Sequence, residues 1–204
     1  MIRLRGTASI PDDWALPDIA PWEICAGAVA LIDAAIARLP RDFAKTAPGV
    51  AVHTRATLEA GVTLKPPCIV GPDCFVAAGA YLRGGVWLAR GVILGPSVEV
   101  KSSLIGEGSK AAHFNFIGDS IVGANVNIEA GAILANYRNE WAQKEIVCFD
   151  GGTLIRTGHD KFGSLVGDGS RIGANAVLAP GTILPPGSIV PRLALIDQVA
   201  GRLG

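Results

Sequence analysis

The chain has 204 residues, of which 50% are hydrophobic, 18% are charged and 26 are glycine. Its 18 acidic and 18 basic residues cancel, which argues against a nucleic-acid-binding protein, where a basic surplus is expected. No apolar run reaches the roughly 20 residues of a membrane span, and the N-terminus lacks a signal-peptide pattern, so we expect a cytoplasmic protein without a membrane partner.

The first predicted element is a helix from Pro21 to Leu39, within an N-terminal segment of residues 1–49. Proline suits the first turn of a helix, and Pro40 ends this one. An apolar stripe predicts that the helix packs over one end of the following repeat domain, because the open first coil of such a domain needs a cap.

From Val52 to Val100 an aliphatic residue stands at every sixth position, nine times without a gap. A second apolar, mostly small residue lies two positions before each of them. Helices repeat every ~3.6 residues and strands every ~2, whereas a period of six is typical of a parallel β-helix built from hexapeptide repeats. We therefore predict an all-β prism, with about three hexads in each coil and the aliphatic residues pointing inward.

The period shortens by one residue at Ile105, Ile117 and Val122, and it later returns from Val166 to Val190. This predicts a repeat domain over residues 50–191, an insertion at about 137–163 and a C-terminal tail at 192–204. Insertions at one corner of a β-helix often build the binding site.

Two of the four cysteines, Cys68 and Cys74, occupy the small-residue positions of consecutive hexads, so we expect them in the core. The sequence contains no Cys-x-x-Cys motif. Free thiols in a reducing compartment are therefore expected, and not a disulfide framework.

Three basic residues, Lys65, Arg83 and Lys101, follow inward aliphatic positions and are spaced 18 residues apart. They should stack on successive coils, about 4.8 Å from one another. Two interpretations remain open: a solvated basic face, or a column that binds phosphate, for which arginine and lysine are the usual ligands.

One of the three histidines, His113, lies where the hexad period shortens. A break in a regular prism can direct a side chain into a cleft, where imidazole is suited to act as a general base. The alternative is a structural histidine bonded to the backbone.

Several segments together resemble a known family: VEVKSSLIGEGSKAAH (98–113), FNFIGD (114–119) and VGANVNIEAGAILANY (122–137). They are similar to the acetyltransferase half of the bifunctional N-acetylglucosamine-1-phosphate uridylyltransferase/glucosamine-1-phosphate N-acetyltransferase. The later TGHDKFGSLVGD (157–168) resembles the hexapeptide tails of sugar-1-phosphate nucleotidylyltransferases with both activities, and PWEI (21–24) resembles their linker helix. The resemblance covers nearly the whole chain from about residue 21.

The resemblance implies a left-handed β-helix, a homotrimer with sites between subunits, and N-acetylation of a hexosamine 1-phosphate by acetyl-coenzyme A without a metal. It assigns the catalytic base to His113 and a carboxylate that orients this base to Glu99. The residues that it assigns to the sugar phosphate are Arg83, Lys101, Asn127, Asn136, Tyr137 and Lys161. Those that it assigns to coenzyme A are Ala130 and Ala174.

Three residues depart from the family pattern. Phe116 replaces a sugar-binding tyrosine, Glu129 replaces a glycine near the thioester, and Ala174 stands where a serine contacts coenzyme A. The insertion is also longer than in the bifunctional bacterial form. These departures leave the identity of the sugar open.

The uridylyltransferase domain of these proteins has no counterpart in this sequence, so we expect that the chain makes no sugar nucleotide by itself. A separate nucleotidylyltransferase is a possible partner. Three alternatives stay open: an acyltransferase for another amino sugar or nucleotide-linked amine, a non-catalytic trimeric sugar-phosphate-binding or scaffold module, and a zinc carbonic anhydrase. The last would need three clustered histidines, and His53, His113 and His159 are far apart in sequence.

Overall fold

A computed structural model of the protein describes residues 6–11 and 14–201. Their architecture is a parallel β-solenoid, in which short strands wind into a three-sided prism and each strand pairs with strands of the adjacent coils. The all-β repeat domain is thus confirmed, and its left-handed winding remains a prediction.

In the described part of the chain the prism has three faces of seven strands each, and therefore seven coils. Face 1 consists of β2 (Val50–His53), β5 (Cys68–Val70), the ends of β7 (Tyr81–Leu88) and β9 (Glu99–Ile105), β12 (Ile121–Val122), β17 (Ser164–Val166) and β20 (Thr182–Leu184). Face 2 consists of β3 (Thr57–Leu58), β6 (Phe75–Val76), β8 (Ile93–Leu94), β10 (Lys110–Ala111), β13 (Asn127–Ile128), β18 (Arg171–Ile172) and β21 (Ile189–Val190). Face 3 consists of β4 (Thr63–Leu64), the starts of β7 and β9, β11 (Phe116–Gly118), β14 (Ile133–Leu134), β19 (Val177–Leu178) and β22 (Leu195–Ile196).

The strand register explains the shortened hexads. Phe75 pairs with Ile93, 18 residues later, but Ile93 pairs with Lys110, only 17 residues later. Asn127 then pairs with Arg171, 44 residues later, because the insertion lies between these two coils. The coil length therefore changes by one residue in the middle of the prism without a break in its faces.

Both inward positions of the hexad form the core of the prism. Leu82 and Val100 at the aliphatic position are 0% exposed, and so is Cys68 at the small-residue position. Burial of this kind stabilises a fold by roughly 25 cal/mol per Å² of apolar surface. The predicted core role of Cys68 and Cys74 is confirmed, and all four cysteines are free and buried.

A second core lies outside the prism, against face 1. The predicted helix is present as α1 (Pro21–Ala26) and α2 (Ala28–Ile36), which Gly27 separates. Both helices pack along face 1, against the strands of its second to fourth coils. The expectation that the helix covers the end of the prism was therefore wrong. The strand that pairs with the first coil is β1 (Phe43–Ala47), antiparallel to β2.

The close approach of α2 to the prism requires a glycine at position 85. Gly85 has φ +89°, and a Cβ there would lie 2.8 Å from the backbone carbon of Ala28. A side chain at this position would push the helix away from face 1. No helix in the described residues is long and apolar enough to cross a bilayer.

The insertion also packs on the outside of the prism. It contains a hairpin of β15 (Val147–Asp150) and β16 (Thr153–Arg156), and β15 contacts β20. The buried Arg138 tethers the insertion to the last coil through two hydrogen bonds to the Asp197 carboxylate, of 2.6 and 2.8 Å. The insertion is therefore an ordered layer over face 1.

Candidate functional site

Most of the predicted site residues lie at two corners of the prism. The Lys101 corner, between face 3 and face 1, holds Arg83, Lys101, Asn136, Tyr137 and Lys161. The His113 corner, between face 2 and face 3, holds His113, Ala130 and Ala174. The three-residue strand β11 separates the two corners by about 10 Å, the length of three extended residues.

At the Lys101 corner the predicted basic residues stack as expected. Arg83 pairs with Lys101 in the register of β7 and β9, and Lys101 pairs with Gly118 in the next coil. Lys65 lies one coil before Arg83, since its N–H donates to the carbonyl oxygen of Leu82 at 2.8 Å. The spacing of 18 residues thus placed these side chains correctly.

Two of the stacked cations, Arg83 and Lys101, already have carboxylate partners. Arg83 Nε donates to Glu99 Oε1 at 2.8 Å, and Arg83 Nη2 lies 2.7 Å from the same oxygen in an ion pair. Lys101 Nζ donates to both carboxylate oxygens of Asp119, at 2.8 and 2.7 Å. The repulsion between Arg83 and Lys101 is therefore relieved by the chain's own acidic residues, and the pairs carry no net charge.

The carboxylate of Glu99 bonds to Arg83 and not to His113. Glu99 stands on β9 within face 3, where its coil neighbours are Tyr81 and Phe116. The orienting role that the resemblance implied for Glu99 is not supported by this geometry.

The other residues of the Lys101 corner come from the fifth coil and the insertion. Asn136 follows β14 and donates its amide to Asp119. Tyr137 is 38% exposed, and the Lys144 ammonium lies 5.2 Å from the centre of its ring. Lys161 is exposed and has no side-chain partner in the described part of the chain, but the next residue, Phe162, is buried against Trp22. Lys161 is thus a free cation on an anchored backbone.

Phe116, which departs from the family's tyrosine, faces the same corner. A Cβ at Gly118 would lie 2.6 Å from the Phe116 ring and 2.9 Å from the Asn136 side chain. The ring therefore lies over Gly118 beside Asn136, and it contributes an apolar surface to this corner.

At the His113 corner, backbone hydrogen bonds join one coil to the next. Gly131 N–H donates to the His113 carbonyl oxygen at 2.9 Å, and Asn175 N–H donates to that of Ala130 at 2.9 Å. His113, Ala130 and Ala174 therefore stand one above another on three successive coils. The His113 side chain is exposed, and its imidazole has no hydrogen-bond partner among the described residues.

The amide of Ala174 is engaged by Glu129. The Ala174 N–H donates to Glu129 Oε2 at 2.8 Å, and Arg192 donates to both oxygens of the same carboxylate at 2.8 Å. The hydrogen bonds from Arg192 and then from the Ala174 N–H lower the pKa of the Glu129 carboxyl. A ligand that uses the Ala174 amide would have to displace this carboxylate.

The other predicted residues and histidines lie elsewhere. Asn127 stands on the outer side of face 2, between Lys110 and Arg171, at neither corner. His53 bonds to Asp42 beside the first coil, and His159 contacts Glu23 of α1. The three histidines therefore lie in different parts of the fold.

Sequence reasoning missed two residues that complete these corners, Asp119 and Arg192. Asp119 stands 18 residues after Lys101, the same spacing that identified the basic column, and Arg192 stands 18 residues after Ala174. The spacing of 18 could therefore have indicated Asp119, had it been applied to acidic residues, whereas the carboxylate partner of Arg192 is Glu129, 63 residues earlier in the sequence.

The prism and its inward hexads define a parallel β-solenoid of the hexapeptide-repeat class. Residues 46–148 match the family described as the GMPPB C-terminal domain, and the chain belongs to this family.

The chain is also similar to curated bifunctional enzymes. It is 42% identical over 74 residues to the bifunctional sugar-1-phosphate nucleotidylyltransferase/acetyltransferase of Sulfurisphaera tokodaii, which is 36% of this chain and 18% of that protein. It is 54% identical over 54 residues to the bifunctional protein GlmU of Thermodesulfovibrio yellowstonii, 26% of this chain and 12% of that protein. It is 59% identical over 44 residues to GlmU of Thermotoga petrophila, which is 22% of this chain and 10% of that protein.

The chain thus covers less than a fifth of the length of each of these relatives. The matched segments are also shorter than the region from about residue 21 over which the resemblance was expected to run.

Proposed function

We propose that the protein is an N-acetyltransferase that transfers the acetyl group of acetyl-coenzyme A to the amine of a hexosamine 1-phosphate. The observation that carries the proposal is the pair of corners that flank β11. One presents the unpaired imidazole of His113, and the other presents the ordered polar group of Lys101, Asp119 and Asn136. The similarity to a bifunctional nucleotidylyltransferase/acetyltransferase supports the same chemistry for this domain.

In the proposed reaction the amine nitrogen of the substrate attacks the thioester carbonyl carbon, and His113 takes a proton from this amine. The C–N bond forms, the C–S bond breaks, and His113 returns the proton to the leaving sulfur, so that coenzyme A leaves as the thiol. Proton transfer to a positioned histidine contributes about 10² to 10⁴ in rate. A backbone N–H would stabilise the negative oxygen of the tetrahedral intermediate.

The substrate phosphate would lie at the Lys101 corner, with Arg83, Lys101 and Lys161 as ligands and Asn136 and Tyr137 beside the sugar. Lys161 suits this role best, since its ammonium has no partner among the described residues. Coenzyme A would lie along the His113 corner at Ala130 and Ala174. There the Glu129 carboxylate has to leave the Ala174 amide before a ligand can use it.

The proposed assembly is a homotrimer in which sites lie between subunits. Face 1 is covered by the chain's own helices and insertion, which leaves face 2, face 3 and the His113 corner for a second copy. Asn127 on face 2 is remote from the Lys101 corner of its own chain, so it would serve a site that a neighbouring copy shares.

A second candidate is a non-catalytic sugar-phosphate-binding or scaffold module that acts as the partner of a separate nucleotidylyltransferase. It is favoured by one observation: Glu99, Asp119 and Glu129 already occupy groups that the acetyltransferase reaction would use. Calorimetry with acetyl-coenzyme A separates the candidates, because only the transferase should bind it.

The test is the initial rate of thiol release from acetyl-coenzyme A in the presence of glucosamine 1-phosphate. His113→Ala should reduce the rate by at least about a hundredfold, while thermal unfolding and sedimentation stay those of the wild type. Arg55→Ala, which alters an exposed residue between face 1 and face 2, serves as the control and should keep the rate. Near-full activity of His113→Ala would remove His113 as the base.

A further inference from the structure

Asp119 connects three coils of the prism at the Lys101 corner. Its carboxylate accepts both hydrogen bonds from Lys101 in the preceding coil and one from the Asn136 amide in the following coil. Its own N–H donates to the Lys101 carbonyl oxygen at 2.8 Å, and its carbonyl oxygen accepts from Gly163 N–H at 2.9 Å. Among the described residues, Asp119 is thus the one whose side chain hydrogen-bonds to both Lys101 and Asn136.

The backbone at Asp119 is in the left-handed region, with φ +43°. At other coils of the same corner this region is occupied by Gly84, Gly85, Gly181 and Ser102, so the turn does not require an aspartate. Aspartate and asparagine adopt it more readily than other side chains, but glycine adopts it at no steric cost. An aspartate here is therefore explained by its carboxylate and not by the turn.

The ion pair between Lys101 and Asp119 is shielded from solvent, since their side chains are 17% and 7% exposed. Shielded, charge-assisted hydrogen bonds are stronger than neutral ones and hold their groups in one geometry. Lys101 directs one further N–H toward Ser102 Oγ at 3.3 Å, so the three donors of its ammonium point in defined directions.

We propose that Asp119 is a positioning residue that holds Lys101 and Asn136 in the arrangement needed to bind a phosphorylated amino sugar. The inference rests on the proposed function. It adds that Asp119 acts through its two partners, and that substrate affinity depends on its negative charge.

The test variant is Asp119→Asn, which keeps the size of the side chain and its tolerance of the left-handed backbone. The matched control is Asp73→Asn, because Asp73 also has a positive φ, of +59°, and is paired with Arg55 and Arg90 at another corner. Asp119→Glu, which restores the charge on a longer side chain, is a second variant.

Three measurements are made on each full-length protein. The first is the rate at which acetic acid N-hydroxysuccinimide ester modifies Lys101, followed by peptide mass spectrometry. The second is the affinity for glucosamine 1-phosphate by calorimetry, without acetyl-coenzyme A. The third is KM and kcat for thiol release.

For Asp119→Asn we expect Lys101 to react roughly tenfold faster and glucosamine 1-phosphate to bind roughly tenfold more weakly, as for the loss of one hydrogen bond to a charged group. KM should rise by a similar factor with little change in kcat. Asp73→Asn should match the wild type, and Asp119→Glu should recover part of the affinity. If Asp119 had only a structural role, Asp119→Asn would alter thermal stability but would not raise KM while leaving kcat nearly unchanged.

Unchanged Lys101 reactivity, or unchanged affinity, in Asp119→Asn would overturn the inference even if the wild type is an active transferase. If the wild type binds glucosamine 1-phosphate but releases no thiol, the proposed function fails, and the affinities still decide the role of Asp119. Failure of the wild type to bind the sugar phosphate would overturn both.

Discussion

Cys68 and Cys74 illustrate the requirements for a residue inside the prism. Each stands at the small-residue position of a hexad, each is at most 1% exposed, and each lies within the apolar core. Burial disfavours the thiolate, because a charged sulfur would lose its hydration. It raises the pKa of Cys68 and of Cys148 to about 12, and that of Cys74 to about 11.

These shifts predict a loss of stability at alkaline pH. Below pH 9.0, the ordinary thiol pKa, the cysteines are protonated in both folded and unfolded chains. Between pH 9 and 11 only the unfolded chain ionises, so the free energy of unfolding should fall by about 1.4 kcal/mol per thiol for each pH unit. Urea unfolding across this range measures the slope, which should be shallower in Cys68→Ala. A free energy of unfolding that stays constant across this pH range would contradict the raised pKa values of these thiols.

The contacts of Glu129 predict that its substitution changes the affinity for coenzyme A. If acetyl-coenzyme A uses the Ala174 amide, Glu129→Gln should weaken the contact with Arg192 and raise the affinity for acetyl-coenzyme A by roughly tenfold, the value of one charge-assisted hydrogen bond. Calorimetry measures this affinity.

Glu107→Gln is the matched control for Glu129, since Glu107 is paired with Arg90 at an exposed position of the corner between face 1 and face 2. It should leave the affinity as in the wild type. A decrease in affinity in Glu129→Gln would show that this carboxylate helps to hold coenzyme A and does not oppose it.

At the scale of elements, the position of the helices follows from one column of residues. On an exposed face the outward-facing residues would be polar. Those of face 1 are all apolar and buried: Ala51, Ile69, Trp87, Leu104, Ile121, Leu165 and Ile183. The hexad period identifies only the two inward positions of each coil. A helix with an apolar stripe was therefore predicted correctly, but its docking surface was not.

The packing of α2 on this column makes a quantitative prediction. Ile32 is 1% exposed, so Ile32→Ala should lower the free energy of unfolding by about 2–5 kcal/mol through the lost burial and the cavity. Val29 on the same helix is 50% exposed, and Val29→Ala should change it by no more than about 0.5 kcal/mol. Denaturant titration compares the two. Equal effects would contradict the packing of α2 along face 1.

The insertion shows a different limit of sequence-based prediction. Its bounds could be predicted, because the hexads stop near Leu134 and return at Val166. Its packing could not, since the contacts of Phe162 with Trp22 and of Arg138 with Asp197 join residues far apart in sequence and follow no period.

At the scale of the whole molecule, the coil length decides which residues meet. A spacing of 18 was enough to predict that Arg83 stacks on Lys101, and the register confirms it. Applied to basic residues alone, it did not indicate the carboxylates that neutralise them. Asp119 shares the spacing of 18 from Lys101, but Glu99 bonds to Arg83 across 16 residues and follows no coil period. The fold was therefore more predictable than the chemistry of its corners.

The arrangement of the three faces also explains why the candidate groups lie far apart within one chain. Face 1 is closed by the helices, the His113 corner is open, and Asn127 lies on the far side of that corner from Lys101. Sites shared between copies would bring these groups together. Sedimentation should therefore find three chains per particle, and a monomer would contradict the proposed assembly.

The most direct measurement of the proposed function is the identity of the product. Purified protein is incubated with acetyl-coenzyme A and, separately, with glucosamine 1-phosphate, galactosamine 1-phosphate or glucosamine 6-phosphate, and the sugars are analysed by mass spectrometry. We predict a hexosamine 1-phosphate that carries one added acetyl group on nitrogen, formed at least about a hundredfold more slowly by His113→Ala. Unmodified sugars in every incubation, from a folded protein that binds them, would contradict it.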